Sequence, residues 1–540
     1  MSLSSELRKT HGAFYTPVLV ARYLARWAVR SGGDVLLDPS AGEGVFLEAG
    51  LDALADMRGP GPSQVRGIEI LPDSCETLVR RWADSPFAPE IVHADFFNVE
   101  PAIFGHVDAV IGNPPFVRYQ RFSGELRERA LQCASRAGVK LPALTSSWAP
   151  FLVHAARFIR RGGRMAVVAP AELTYAVYAR PVLDYLCGAF ASVRILTFDT
   201  PMFGDLSEDT ILLLADNRGE PFHELSISRV PSISALADLQ VRQVPVDATA
   251  VCSGAVRITD YLIPARAREL YRELARGAAV KPLGELGTAG IGYVTGANDF
   301  FHLTASAAAI LSIPSTYLRP VVRNGAQLDG LSFTRRDSLR LLERGEQNLL
   351  FLCGEAVKEL SAAVRRYLES GKRKKVHQAY KCRVRPTWYL VPHVYKGDAF
   401  LTCMSHLSPR MAVNEARVHA PNTLLVVKLK PAFRSGVRSI AVAWTSTMTA
   451  LSCELCGHGL GGGLLKLEPG EASKVLVPSL TLPAGFYREM DKLTRTLRGA
   501  IVSEHVDELV RRQLGVTKAE MALLREGLRT LRQRRLRRNS

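Results

Sequence analysis

Between Val35 and Asn113 the chain repeats one pattern four times: a short apolar run that stops on a polar residue. Val35-Leu36-Leu37 ends in Asp38, Val65 to Ile68 in Glu69, Ile91 to Ala94 in Asp95, and Asp108 to Gly112 in Asn113. A helical segment, Leu19 to Val29, precedes the series, and helix-strand alternation continues past Arg164–Pro170 to about Leu214. Strands joined through helices lie parallel, because a parallel pair needs a long crossover. The pattern therefore predicts an α/β fold with a mostly parallel sheet and helices on both faces. The polar residues then share the carboxyl edge of the sheet, where such folds bind ligands.

After the first run comes Asp38-Pro39-Ser40-Ala41-Gly42-Glu43-Gly44, and then helical spacing from Phe46 to Ala55. Glycines allow a tight turn and close approach of backbone to a ligand, here beside a helix N-terminus. The pattern is Gly-x-Gly and not Gly-x-Gly-x-x-Gly, so the dinucleotide fingerprint is absent. Glu69 lies roughly 20 residues or slightly more past this turn, a spacing that suits a ribose diol. Asp95 can accept from an adenine amino group. Either acid can instead cap the element that follows it.

Asp108-Ala109-Val110-Ile111-Gly112-Asn113-Pro114-Pro115-Phe116 carries the chemistry. The Pro114 carbonyl and the Asn113 side-chain oxygen can accept the two protons of one exocyclic amine. Two acceptors about 3 Å from one nitrogen favour a pyramidal amine whose lone pair faces an electrophile. The prolines, Pro114 and Pro115, stiffen the backbone. Phe116 offers a flat face for a base. The run reads as a site for methylating a planar amino group, although Asn-Pro after a strand is also a common turn.

Together these motifs resemble the S-adenosylmethionine-dependent amino-methyltransferases of DNA, most closely the gamma-type N6-adenine methylases of restriction-modification systems. His11-Gly12-Ala13-Phe14-Tyr15-Thr16-Pro17 stands where that family carries its motif X. The resemblance implies a Rossmann-like methyltransferase domain and S-adenosyl-L-methionine as cofactor. It implies that Thr16, Asp38, Ser40, Gly42 and Gly44 hold the cofactor's methionine end, Glu69 its ribose and Asp95 its adenine. Asn113, Pro114, Pro115 and Phe116 would receive a target adenine turned out of double-stranded DNA, with Phe203 as a second aromatic beside it. Arg164–Pro170 looks like the family's fifth strand, and residues 199–214 like its closing hairpin with a reversed strand. Residues 290–299 and 461–467 resemble segments of the family's target-recognition domain. A cognate restriction endonuclease would be a separate protein.

At 540 residues the chain has room for two or three domains. The expected division is a catalytic domain over 1–255 and a mixed α+β target-recognition domain over 256–540. In the latter, 423–427 and 439–444 look like strands, and 484–530 is helical in period and followed by a basic tail. The formal charge is +17, from 69 Lys and Arg against 52 Asp and Glu, which points to a polyanionic partner. The first hundred residues hold more acids than bases, so the excess lies later, at 157–161, 372–375, 381–385 and 529–538. A polar N-terminus through Thr10, nine cysteines without a regular framework, and no long apolar run fit a cytoplasmic protein without a membrane partner. Cys453-x-x-Cys456-x-His458 and Cys403-x-x-His406 have legal zinc spacing. They read as buried free cysteines in an apolar stretch, and no metal is expected.

Three other functions share part of this signature. Methylases of ribosomal RNA guanine and of protein glutamine carry a related Asn-Pro-Pro motif but are compact chains. An N4-cytosine DNA methylase uses the same chemistry, more often with Ser at the position of Asn113. A DNA-specificity protein could retain the cofactor fold without catalysis, but the intact motif and both acids argue against that.

Overall fold

A computed structural model describes residues 16–57, 61, 63–118, 121–203, 209–237, 242–354, 360–460, 463–496 and 499–537. Residues 11–15 of the N-terminal motif and 461–462 of the glycine-rich segment lie outside the described residues. The chain divides into two compact units. One is Met1–Leu262 with Leu460–Gly462 and Arg534–Ser540, and the other is Ile263–Gly459 with Gly463–Gln533.

The first unit is built on nine strands: β1 (Leu36–Asp38), β2 (Val65–Glu69), β3 (Glu90–His93), β4 (Val107–Gly112), β5 (Ile159–Pro170), β6 (Phe190–Phe198), β7 (Thr210–Arg218), β8 (Glu224–Val230) and β9 (Gln243–Val246). They form one sheet in the order β3-β2-β1-β4-β5-β7-β6-β8-β9. The first five are parallel to their neighbours, and β7 runs antiparallel between β5 and β6. All six residues of β4 are buried. Their side chains alternate between faces, so both faces of the sheet are covered, as a parallel sheet requires. The expected α/β fold and the reversed strand are both present. Past β7 the sheet gains β8, parallel to β6, and β9, antiparallel to β8.

The chain runs outward from β1 to β3 and then returns to β4 on the other side of β1, which opens a crevice at their carboxyl ends. Leu37 pairs with Val110, so Asp38 and the step from Gly112 to Asn113 leave the sheet side by side. The helix Val45–Ala55 follows β1 and buries Phe46, Leu47, Ala49, Gly50, Ala53 and Leu54, a stripe at helical spacing.

The second unit carries a five-stranded mixed sheet in the order Gly287–Ile291, Leu424–Leu429, Ala399–Thr402, Met411–Asn414, Ser332–Phe333. Smaller two- and three-stranded sheets and a terminal series of helices, Phe486–Arg495, Gly499–Leu514 and most of Lys518–Arg537, complete it. The run 439–444, expected as a strand, is instead part of the helix Val437–Ala443. Ile440, Ala441, Val442 and Ala443 are all buried, so no polar face marks the period, and a short apolar run then fits either element. In the motif 290–299, a Cβ on Gly292 would sit 2.2 Å from the Ala420 carbonyl oxygen. Backbone packing against Ala420 and Pro421 demands glycine there.

Candidate functional site

Asp38 is 1% exposed at the end of β1. Its Oδ1 accepts from the Ser40 amide at 3.0 Å, and its buried Oδ2 has no hydrogen-bond partner. Burial pushes this carboxyl up to about 7; the Ser40 amide opposes the rise and the charge of Glu69 adds to it. A buried carboxyl with one oxygen unused is a receptor for a cation or a donor. A Cβ on Gly112 would lie 2.8 Å from Asp38 Oδ1, which is why β4 ends in glycine against this residue.

Glu69 is buried at the end of β2. Its Oε2 accepts from the Gly42 amide at 2.7 Å and its Oε1 from the Leu71 amide at 2.9 Å. Each oxygen keeps a second lone pair, so the carboxylate can still take a diol. Gly42 and Gly44 have φ of +53° and +85°. A Cβ on Gly44 would meet Leu78 at 2.6 Å and Trp82 at 2.9 Å, so close side-chain packing and the left-handed φ together favour glycine here. Asp95 does what a capping residue does: Oδ1 accepts from the Phe97 amide at 3.0 Å. Its other oxygen lies 3.7 Å from the Arg129 guanidinium.

The turn after β4 is held by hydroxyls. Ser40 Oγ donates to the Asn113 carbonyl at 3.2 Å. Ser147 Oγ donates to the Pro115 carbonyl and accepts from the Val117 amide at 2.9 Å. Asn113 Nδ2 donates to Thr16 Oγ1 at 3.1 Å. Two oxygens of the turn are left over. Asn113 Oδ1 is buried without a partner, and no hydrogen bond among the described residues uses the Pro114 carbonyl. Thr16, Asp38, Ser40, Glu69 and Asn113 are thus brought together around one crevice. Phe116 is 6% exposed and belongs to the hydrophobic core of this unit; Phe203 is half-buried against the same core.

Ser147 escapes sequence reasoning. It stands 32 residues from Pro115 in the chain and just before the helix Trp148–Arg157, where a serine reads as an N-cap. Its side chain makes no cap bond and serves the Asn-Pro-Pro-Phe turn instead. The basic clusters also separate. Arg157, Arg160 and Arg161 are spent on Glu100, Asp108 and Glu220. Lys372, Arg373, Lys374 and Lys375 are exposed at the end of the helix Ala362–Arg373, with no ion pair among the described residues. Of the zinc-like residues, Cys453 is buried in the helix Thr447–Cys456, Cys403 donates to the Thr423 carbonyl, and His458 Nδ1 lies 3.0 Å from Glu471. Among the described residues no group of His, Cys, Asp and Glu is arranged to hold a metal.

Two family models match this chain. One, described as N-6 DNA Methylase, covers residues 2–179 and so includes the Gly-rich loop, both acids and the Asn113–Phe116 turn. The other, the C-terminal domain of type II methyltransferase M.Eco57I, covers residues 255–511. The chain carries an N-6 DNA methylase domain followed by an M.Eco57I-type C-terminal domain. Relatives of this methyltransferase extend along nearly its whole length. Type II methyltransferase M.AccI of Acinetobacter calcoaceticus is 22% identical over 89% of this chain and 88% of its own. M.XamI of Xanthomonas campestris pv. amaranthicola is 22% identical over 87% and 85%. Among solved structures, the type IIL restriction-modification enzyme MmeI in complex with DNA shares the fold with a TM-score of 0.58. It is 14% identical, and the match spans 98% of this chain and 76% of that one. The protein is thus a DNA methyltransferase. None of its described helices is long and apolar enough to cross a membrane.

Proposed function

We propose that this methyltransferase modifies the N6 amine of adenine at a specific sequence of duplex DNA, as the cytoplasmic modification enzyme of a type II restriction-modification system. One observation carries the reading. Of the oxygens around the Asn113 turn, the flanking carbonyls are taken by Ser40 and Ser147, while Asn113 Oδ1 and the Pro114 carbonyl stay unused. An exocyclic amine brings two protons, and these two acceptors match them.

The crevice fits S-adenosyl-L-methionine. Its unpartnered Asp38 Oδ2 suits an ammonium group, Glu69 a ribose diol and Asp95 an adenine edge, with Ser40, Gly42 and Thr16 lining the methionine end. When bound, the cofactor supplies an electrophilic methyl group on a sulfonium. Asn113 Oδ1 and the Pro114 carbonyl then orient the amine's lone pair and stabilise the positive charge that develops on its nitrogen. A paired base cannot reach acceptors buried at the foot of a crevice, so the adenine rotates out of the duplex, with Phe116 and Phe203 as stacking faces. Residues 1–255 form the catalytic domain. Residues 256–540 grip phosphates and read base edges, with the exposed 372–375 segment among the grips. A cognate endonuclease acts as a separate protein.

The test is methylation of mixed-sequence duplex DNA with labelled cofactor, followed by mass spectrometry of the nucleosides. N6-methyladenine confined to one sequence is the expected product. N4-methylcytosine alone overturns the base assignment, and label found only in RNA or protein overturns the substrate. Asn113→Ala should lose about 10²–10³ in kcat, as single losses at charge-stabilising sites do.

A further inference from the structure

An asparagine amide has two ends of nearly equal size and opposite hydrogen-bonding character. Only one orientation of Asn113 serves an incoming amine. Turned the other way, the side chain would present N–H to N–H. Something must choose, and Ser40 does not, because it binds the backbone carbonyl of Asn113 and not its amide. Among the described residues the amide nitrogen has one partner, Thr16 Oγ1 at 3.1 Å. Thr16 is 3% exposed, so water does not readily stand in for it.

We propose that Thr16 is a positioning residue that sets which end of the Asn113 amide faces the target amine. This rests on the reading of Asn113 as an acceptor for that amine. A hydroxyl can donate as well as accept, so the bias comes from what each orientation leaves unpaired. With Oδ1 outward, one Nδ2 hydrogen is orphaned and Oδ1 waits for the amine. With the amide reversed, Thr16 donates to Oδ1 and both N–H hydrogens are orphaned in the same buried place. Orphaned buried N–H groups are the rarer of the two. The carbonyl-outward form is therefore favoured, and it is the form the amine needs. Thr16 is also held firmly. It leads through Pro17 into the helix Val18–Ala28, whose buried residues Val20, Ala21, Leu24 and Ala25 dock that helix into the hydrophobic core. The other hydroxyls of the turn fix its backbone; among the described residues Thr16 alone hydrogen-bonds the side chain proposed to meet the substrate.

The experiment compares full-length Thr16→Val, Thr16→Ala and Thr16→Ser with wild type and Asn113→Ala, on duplex DNA carrying the methylated site. Valine keeps the shape and removes the acceptor, while serine restores it. The loss in kcat follows the fraction of enzyme whose amide faces outward. Losing a bias worth one hydrogen bond lets the outward fraction fall from near one to about one half, so kcat should fall about twofold in Thr16→Val and Thr16→Ala. Thr16→Ser should recover most of the rate. Because Thr16 also lines the methionine end of the cofactor crevice, kcat is read at saturating S-adenosylmethionine, where melting temperature should stay near wild type. The second readout is binding alone, with adenine or purine at the target position. Purine lacks the amine, so wild type should prefer adenine, Thr16→Val should lose much of that preference, and Thr16→Ser should regain it.

Wild-type kcat and wild-type preference for adenine in Thr16→Val overturn the proposal. Equal losses in valine and serine overturn it too. So does a loss in Thr16→Val that appears only in cofactor affinity and vanishes at saturation. If Asn113→Ala is itself fully active, the acceptor reading fails. If Asn113→Ala is inactive while Thr16→Val behaves as wild type, only the role of Thr16 fails.

Discussion

Glu69 Oε2 accepts the amide proton of Gly42 at 2.7 Å, tying the end of β2 to the turn that follows β1. The carboxylate therefore shapes the loop, and in the proposed function it also faces the cofactor. Glu69→Gln keeps one oxygen for Gly42 or for a ribose hydroxyl but not the charge. Glu69→Ala leaves the Gly42 and Leu71 amides without their acceptor. Calorimetry should show Glu69→Ala weakening S-adenosylmethionine binding by about 1.5–3 kcal/mol, the range for hydrogen bonds to a charged group, and Glu69→Gln weakening it less. Equal and unchanged affinities in both variants would remove Glu69 from the cofactor site.

Asp38 makes the ligand-free enzyme sensitive to pH. Burial, countered by the Ser40 amide and reinforced by Glu69, raises its carboxyl from 3.8 to about 7. A raised acid holds its proton more tightly when folded than when unfolded. Its contribution to stability is therefore present below about 3.8 and is lost as pH rises to about 7. Asp38→Asn abolishes that titration. Thermal scans should show the variant gaining on wild type between pH 5 and pH 8, by at least roughly 1 kcal/mol, or about 2–4 °C for a domain of this size. Cofactor binding should show the opposite preference in wild type, tightening over the same interval as the carboxylate forms beside an ammonium. A flat pH profile in wild type would mean that Asp38 titrates elsewhere.

The parallel sheet was legible because each of its apolar runs stops on a polar residue, while its reversed strand came from the family resemblance. Asp38, Glu69 and Asn113 interrupt apolar runs, and the register of β1 with β4 follows from burying both. The resemblance names Thr16 for the cofactor but not as the partner of Asn113, since no spacing rule joins residues 97 apart in the chain. Ser147 was hidden for the same reason. Asp95 was ambiguous by nature, because an acid at a strand end can cap or bind, and here it caps with one oxygen. In the second unit the helix Val437–Ala443 hid behind an apolar run without a polar face. Charge counting was blind to pairing. The cluster at 157–161 looks as basic as the one at 372–375, yet its arginines are already neutralised by Glu100, Asp108 and Glu220.

That contrast predicts which cations meet phosphate. Each phosphate contact contributes about 0.9 to the slope of log K against log salt on duplex DNA. Replacing Lys372, Arg373, Lys374 and Lys375 by alanine should lower the slope by roughly 2–4 and weaken binding to all sequences alike. Arg161→Ala should leave the slope unchanged, because its guanidinium is held by Glu220 at 3.0 Å. Fluorescence anisotropy over a salt series reads both. An unchanged slope in the fourfold variant would move the phosphate grip elsewhere on the protein.

Phe116 must satisfy two demands, and they can be separated. The ring is 6% exposed and part of the hydrophobic core, so Phe116→Ala should cost about 3–5 kcal/mol of stability whatever else the ring does. Stacking against a base adds a further loss of about 1–3 kcal/mol, which falls on catalysis and not on folding. Phe116→Leu keeps most of the buried apolar volume and abolishes the aromatic face, and Phe116→Trp enlarges that face at some packing cost. If the ring stacks on the target base, single-turnover methylation at saturating cofactor should rank wild type first, tryptophan next and leucine well below. Melting temperatures should instead place leucine closest to wild type. A leucine variant that methylates as fast as wild type would show that Phe116 only packs, and the stacking face would then have to come from another residue such as Phe203.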